Sequence, residues 1–146
     1  MPLLDLTYSE GALDTEARDA LADDLTAAIL RAERAPDGEF FRSVTWASVH
    51  ELPMYSGGRP TQEPVFRVDA TVPEGALSER RKAEFIEAAT KAVFERAGLD
   101  ESAGLRVFVL VHDVPEGNWG AAGNVVRFSQ LRELAAQERD KAGAAT

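Results

Sequence analysis

The chain has 146 residues, of which 45% are hydrophobic and 28% are charged, a composition typical of one soluble globular domain. Acidic residues outnumber basic residues by 25 to 16, and no basic cluster is present, so the composition argues against a nucleic-acid partner. No apolar run has the length of a membrane span, and the amino terminus lacks a signal-peptide pattern. We therefore expect a cytoplasmic protein without a membrane partner. The absence of cysteine excludes disulfides, thiolate nucleophiles and thiolate metal sites.

The chain opens with an apolar segment that predicts a strand over residues 2–8, and its second residue is Pro2. If Met1 is removed, Pro2 carries a titratable secondary amine on a rigid ring. Proline at position two is also common in proteins that make no catalytic use of it. The position alone leaves both interpretations open.

The next segments predict a helix and a second strand. Apolar residues at helical spacing follow the cap Asp14, and the helix is expected to end near Arg34, before the breaker residues 35–38. Residues 43–51 are rich in Val, Thr and Trp and predict a strand. A polar loop with two glycines follows at residues 55–60 and predicts a turn.

A second copy of this strand–helix–strand unit follows the first. A shift of 64 residues places Glu10-Gly11-Ala12-Leu13 on Glu74-Gly75-Ala76-Leu77. A shift of 62 residues places Val49-His50-Glu51-Leu52-Pro53 on Val111-His112-Asp113-Val114-Pro115. These matches indicate a duplication. We predict one domain over residues 1–146, with repeats at about 2–60 and 64–126 and a carboxyl-terminal helix at about 128–141.

The duplication predicts an α/β (α+β) fold, in which a tandem β-α-β repeat forms a four-stranded mixed sheet with two helices on one face. The run Val107-Phe108-Val109-Leu110-Val111 is apolar throughout, as expected of a strand that is buried on both faces. The simplest cover for the face without helices is another copy of the chain. The carboxyl-terminal helix is also expected to pack on a neighbouring subunit.

Several of these features resemble the tautomerase superfamily. They are Pro2 at the first strand, the turn Glu10-Gly11, the pair Ala35-Pro36, and the loop 117–123, which is similar to the glycine-aromatic-glycine loop of 4-oxalocrotonate tautomerase. The doubled unit is similar to the fused members, such as malonate semialdehyde decarboxylase and cis-3-chloroacrylic acid dehalogenase. The resemblance implies a tautomerase/MIF-like oligomeric barrel, a homotrimer, and an enzyme without cofactor or metal whose catalytic base is Pro2.

The chain departs from these relatives at their arginines. The helix-entry arginine of 4-oxalocrotonate tautomerase corresponds to Ala12 and Ala76, and no arginine pair occurs at residues 71–76, where the decarboxylase and the dehalogenase hold a carboxylate. The dehalogenase histidine corresponds to Ile29. These departures favour the simplest reaction, keto–enol or double-bond isomerisation of a small 2-oxo or enol acid. The alternatives are a Pro2-dependent hydratase, decarboxylase or dehalogenase, or a non-catalytic oligomeric binding protein of the same fold.

Other residues are candidates for holding the substrate or stabilising an enolate. The resemblance places Trp119 near Pro2, and Asn118, Arg127 and Arg42 can donate hydrogen bonds to a developing negative charge. His50 and His112 occupy equivalent positions of the two repeats, which favours a structural role over a metal-binding or catalytic one.

Overall fold

The computed structural model describes residues 1–145 and contains two successive β-α-β units. The first unit comprises β1 (Leu3–Ser9), α1 (Thr15–Glu33), a short α2 (Glu39–Ser43) and β2 (Trp46–Leu52), followed by a hairpin of β3 (Tyr55–Ser56) and β4 (Arg59–Pro60). The second comprises β5 (Phe66–Pro73), α3 (Glu79–Ala97), a 3₁₀ helix (Glu101–Arg106) and β6 (Val107–Val114), followed by a hairpin of β7 (Gly120–Ala121) and β8 (Asn124–Val125). Helix α4 (Phe128–Ala144) completes the chain.

The two long helices begin and end at equivalent positions of the repeats. The Asp14 carboxylate accepts the Ala17 N–H at 2.8 Å, and the Ser78 hydroxyl accepts the Arg81 N–H at 3.3 Å, so each helix starts at a side-chain cap. Both helices end at a residue in the left-handed conformation, Arg34 with φ 56° and Gly98 with φ 64°. Glycine adopts this conformation freely, whereas arginine does so at a cost.

The sheet has the strand order β2-β1-β5-β6. Each repeat contributes one parallel pair, β1 with β2 and β5 with β6, and the repeats join through the antiparallel pair of β1 and β5. Helices α1 and α3 cover one face, and the alternate apolar residues of the central strands point into the core between sheet and helices. The most deeply buried large side chains include Leu4, Leu6, Tyr8, Val68, Val72, Leu21, Ile29, Phe85 and Val93. The predicted fold class is confirmed.

The opposite face of the sheet, which we call the open face, is uncovered in the single chain. Trp46 on β2 is 68% exposed and Phe108 on β6 is 59% exposed. Within one chain, β6 is therefore buried on the side that faces the helices and exposed on the other side, so its predicted burial on both faces is not seen in the single chain. Burial of the open face by another copy stays a prediction.

Helix α4 packs on its own chain, and its expected packing on a neighbouring subunit stays a prediction. Its residues Leu131 and Ala135 are buried, and Ala135 belongs to an apolar cluster with Leu30 of α1 and Phe41 of α2. The short helix α2 was not predicted, although it supplies the phenylalanine of this cluster. In the described part of the chain, no helix is long and apolar enough to cross a membrane.

Candidate active site

Pro2 lies buried at the start of β1. It is less than 2% exposed, and its carbonyl accepts the backbone N–H of Trp46 at 3.4 Å, which ties it to the neighbouring strand β2. By the alternation of β1, Pro2 is on the same side of the sheet as Leu4 and Leu6, the side covered by the helices. The first residues of the chain are thus held in place by the sheet and do not form a loose end.

Met1 lines two cavities. On the helix side, a small cavity of about 50 Å³ is also lined by Phe41, Phe128 and Leu131; we call it the helix-side cavity. On the open side, a wider cavity of about 590 Å³ is also lined by Leu3, Trp46, Asn118 and Trp119; we call it the sheet-side cavity. Met1 is bonded to the nitrogen of Pro2, so the residue next to Pro2 lines both cavities.

Glu33 is the acidic residue of the helix-side cavity. Its carboxylate lies 3.9 Å from the Met1 amine, and its side chain is only 8% exposed. One oxygen, Oε1, is buried without a hydrogen-bond partner among the described residues. Burial raises the pKa of the Glu33 carboxyl, and the positive charges of the chain's amino terminus and Arg81 oppose that rise. Burial likewise lowers the pKa of the Met1 amine, against the opposing effect of Glu33.

A third cavity adjoins the helix-side cavity and contains a cluster of positive charge. It has a volume of about 710 Å³, and its lining includes Glu33 and four arginines, Arg34, Arg81, Arg132 and Arg139; we call it the arginine cavity. Two of these arginines have structural partners. Arg81 donates to the Ala32 carbonyl at 3.1 Å and Arg139 donates to the Arg34 carbonyl at 2.9 Å.

Arg132 differs from the other arginines because it lines both the helix-side cavity and the arginine cavity. Within residues 1–145 its guanidinium has no ion pair and no hydrogen bond. It is carried by α4, one turn from the buried Ala135 and beside the buried Leu131, so helix packing fixes where it lies. An unpaired guanidinium at a cavity is available to bind an anion such as a carboxylate.

Two of the predicted substrate-binding residues reach the surroundings of Met1. Asn118 and Trp119 line the sheet-side cavity, and the turn that carries them is closed by backbone hydrogen bonds from Asn118 N–H to the Pro115 carbonyl (3.0 Å) and from Val126 N–H to the Trp119 carbonyl (2.9 Å). The hairpin β7–β8 therefore holds Trp119 within the same cavity as Met1 and Leu3.

The two predicted arginines lie elsewhere. Arg42 is bound to two carboxylates, to Asp37 and, at 2.6 Å, to Asp23, and these contacts raise the pKa of its guanidinium and lower that of Asp37. Arg127 precedes α4, and its side chain packs beside Gly117. Neither arginine lines a cavity that contains Met1.

The two histidines form equivalent pairs on the open face of the sheet. His50 Nε2 lies 3.3 Å from Asp5 Oδ1, and His112 Nε2 lies 2.8 Å from Asp69 Oδ1. Asp5 and Asp69 are neighbours in the antiparallel register of β1 and β5, so the repeat symmetry brings both pairs together. No group of three or more possible metal ligands occurs in the described residues.

Sequence reasoning did not identify Glu33 or Arg132. The available signal for Glu33 was an acidic residue in the last turn of a helix, where the helix dipole disfavours negative charge. Its counterpart 64 residues later, at the end of α3, is Ala97. No comparable signal marks Arg132, because its place depends on how α4 packs.

Comparison with known proteins agrees with this architecture. The family described as "Tautomerase enzyme" matches residues 64–129, the second repeat with its hairpin. Among curated proteins, no sequence matches the chain significantly.

Solved structures resemble nearly the whole chain. Pt0534, solved after inactivation by 2-oxo-3-pentynoate, has a TM-score of 0.72 at 24% identity and covers 88% of this chain and 98% of its own. A fused 4-OT symmetric trimer has a TM-score of 0.69 at 24% identity and covers 92% and 98%. A member of the cis-3-chloroacrylic acid dehalogenase family has a TM-score of 0.70 at 21% identity and covers 97% and 99%. The second repeat therefore matches the tautomerase family, and the solved structures share the fold of both repeats.

Proposed function

We propose that this protein is a cofactor-free tautomerase that acts through the amino group of Pro2 after removal of Met1. Pro2 takes a proton from the carbon beside a carbonyl of a small 2-oxo or enol acid, and the proton returns at another atom. The observation that carries the proposal is the position of Pro2, which is buried directly after Met1, a residue that lines two cavities, in a chain whose second repeat matches the tautomerase family.

The surroundings of Pro2 favour a neutral amine, the form that can act as a base. Burial already lowers the pKa of the Met1 amine, and Pro2 is buried more deeply than Met1. Loss of Met1 removes a residue that lines both cavities and leaves the Pro2 nitrogen as the free end of the chain. The ring of Pro2 and the hydrogen bond from Trp46 to its carbonyl hold the direction of the lone pair.

Arg132 is proposed to bind the substrate carboxylate. The family's arginines are missing at Ala12 and Ala76, and Ala76 lines both the helix-side cavity and the arginine cavity. Arg132 lines the same two cavities from α4, so a guanidinium is supplied there by a different element. Trp119 and Asn118 are proposed to contact the substrate from the sheet-side cavity.

The working form is proposed to be a homotrimer that covers the open face of the sheet. Exposed Trp46 and Phe108 support this assembly because large apolar patches commonly mark interfaces, and the fused 4-OT relative was solved as a trimer. A native mass spectrum that shows monomer alone would contradict it. We treat residues 1–146 as one domain of this assembly.

A second candidate is hydration, decarboxylation or dehalogenation of a small unsaturated or oxo acid through the same Pro2. The likeness to a member of the cis-3-chloroacrylic acid dehalogenase family and the buried carboxylate of Glu33 favour it. Chloride release from cis-3-chloroacrylate at a rate above that of enol ketonisation would favour this candidate over the tautomerase.

Covalent labelling tests the proposed role of Pro2. The alkynone 2-oxo-3-pentynoate is the reagent that inactivated Pt0534. Conjugate addition of a neutral secondary amine to its triple bond would add the mass of the whole reagent to the protein. After intact-mass analysis has shown that Met1 is absent, we expect one label per chain, on the peptide that begins with Pro2. The Pro2→Ala variant should be labelled more slowly than wild type. Equal labelling of the two proteins would count against the proposal.

A further inference from the structure

We infer that Glu33 is a second catalytic residue, a general acid that donates a proton to the carbonyl oxygen while Pro2 removes the proton from carbon. The inference rests on the proposed function of Pro2. It names the group that stabilises the enolate in a chain without the family's arginines. Arg132 then holds the carboxylate, and Glu33 serves the reacting oxygen.

The geometry places Glu33 beside Met1, the residue that precedes the proposed base. Its Oε2 atom lies 3.9 Å from the Met1 amine, one peptide unit from the Pro2 nitrogen. Its Oε1 atom is buried and unpartnered among residues 1–145, and Glu33 lines both the helix-side cavity and the arginine cavity. A buried oxygen without a partner is costly, and a substrate oxygen in the cavity supplies the missing partner.

The repeat shows that the fold does not need a carboxyl group at this position. The equivalent helix α3 ends at Ala97, with the same length and the same left-handed cap as α1. Helix α1 therefore carries a buried acid where a methyl group is sufficient in the other half of the molecule. Because an isolated buried ion pair adds little stability, a structural role does not explain it.

Burial and the positive charges around Glu33 act in opposite directions on the pKa of its carboxyl. The amino terminus at β1, Arg81 of α3 and Arg132 of α4 face it, together with Arg34 and Arg139 at the arginine cavity. Burial has the largest effect and raises the pKa of Glu33, whereas the amino terminus and Arg81 lower it. Burial thus favours the neutral carboxyl of Glu33, the form that can donate a proton, against the neighbouring positive charges.

The proton balance closes within this pair. In the keto-to-enol direction, the C–H bond breaks and its proton binds the Pro2 nitrogen, while the O–H bond of Glu33 breaks and its proton binds the carbonyl oxygen. The products are the enol, a protonated Pro2 and the Glu33 carboxylate. Transfer of the proton from Pro2 to Glu33 restores the starting state without any other reactant.

The test compares Glu33→Gln with wild type, both with Met1 removed, in the ketonisation of 2-hydroxymuconate over pH 4–10. The matched control is Glu95→Gln, an exposed acid in the last turns of α3. We expect kcat/KM of Glu33→Gln to fall by about 10²-fold or more, and the control to equal wild type. In the ketonisation direction a protonated Pro2 delivers its proton to carbon and the Glu33 carboxylate takes the enol proton. We therefore also expect the bell-shaped pH profile of wild type to become a single titration that falls as pH rises.

Labelling by 2-oxo-3-pentynoate separates a failed inference from a failed function. If Glu33→Gln loses turnover but is still labelled at Pro2, the result supports the role of Glu33 as general acid. If Glu33→Gln keeps the turnover rate and the bell-shaped pH profile of wild type, the inference about Glu33 is overturned. The proposed function of Pro2 is then still tested separately by the Pro2→Ala variant. Loss of labelling together with turnover, at an unchanged Tm, would also overturn it, because Glu33 would then maintain Pro2 and not protonate the substrate.

Discussion

Replacing Arg132 by alanine tests whether α4 supplies the carboxylate-binding group. The side chain of Arg132 lines two cavities and has no hydrogen bond or ion pair in the described part of the chain, so its removal breaks no polar interaction of the free protein. A hydrogen bond to a charged group contributes about 1.5–3 kcal/mol, which corresponds to roughly 10-fold to 150-fold in kcat/KM. We expect a loss of this size for Arg132→Ala with a carboxylate substrate.

Steady-state ketonisation of 2-hydroxymuconate measures this loss. Arg132→Lys should recover only part of it, because an ammonium group cannot bind a carboxylate in the bidentate manner of a guanidinium. The matched control is Arg80→Ala on α3, which removes an exposed arginine paired with Glu84 and should leave kcat/KM unchanged.

A neutral substrate sharpens the test. For an enol without a carboxylate, wild type and Arg132→Ala should react at similar rates, because the ionic contact is absent from both reactions. The reasoning is refuted if Arg132→Ala retains kcat/KM within about twofold of wild type for the carboxylate substrate while Pro2→Ala is inactive.

Three further predictions follow from the same structure. Arg34→Gly should stabilise the fold by about 0.5–1 kcal/mol and raise Tm by roughly 1–4 °C, because glycine tolerates φ 56°, and Gly98→Ala should lower Tm; calorimetry showing the same direction for both would contradict this. Glu33→Gln should exceed wild type in stability by more at pH 8 than at pH 4, since burial raises the pKa of the folded carboxyl and its cost grows as pH rises through that pKa; urea unfolding at both pH values measures the difference. Trp119→Ala should lower kcat/KM more than His112→Ala, because Trp119 lines a cavity with Met1 and His112 pairs with Asp69 on the open face; the reverse order in steady-state kinetics would count against the proposed site.

The fold was largely predictable because its signals are local and repeated. Asp14 and Ser78 are helix caps 64 residues apart, and Gly98 marks a helix end, so each β-α-β unit could be identified from its own residues. The parallel pair within each unit follows from the crossover connection. The packing of α4 was not predictable, since the apolar spacing of Leu131 and Ala135 predicts a buried face without indicating which surface buries it.

The candidate site was predictable in part for the same reason. Pro2 and the loop that carries Trp119 could be recognised by position and composition. Glu33 and Arg132 depend on contacts between elements distant in sequence, the end of α1 with the start of β1 and α4 with α1 and α2. Arg42 was a reasonable candidate from sequence, and its binding to Asp37 and Asp23 follows from the approach of α2 to α1.

The most direct test of the central claim is the rate of enol ketonisation by the protein with Met1 removed, compared with Pro2→Ala prepared in the same way. The claim predicts that the wild-type protein accelerates ketonisation of 2-hydroxymuconate or phenylenolpyruvate and that Pro2→Ala loses about 10²-fold or more of kcat/KM. Equal rates for the two proteins would contradict it.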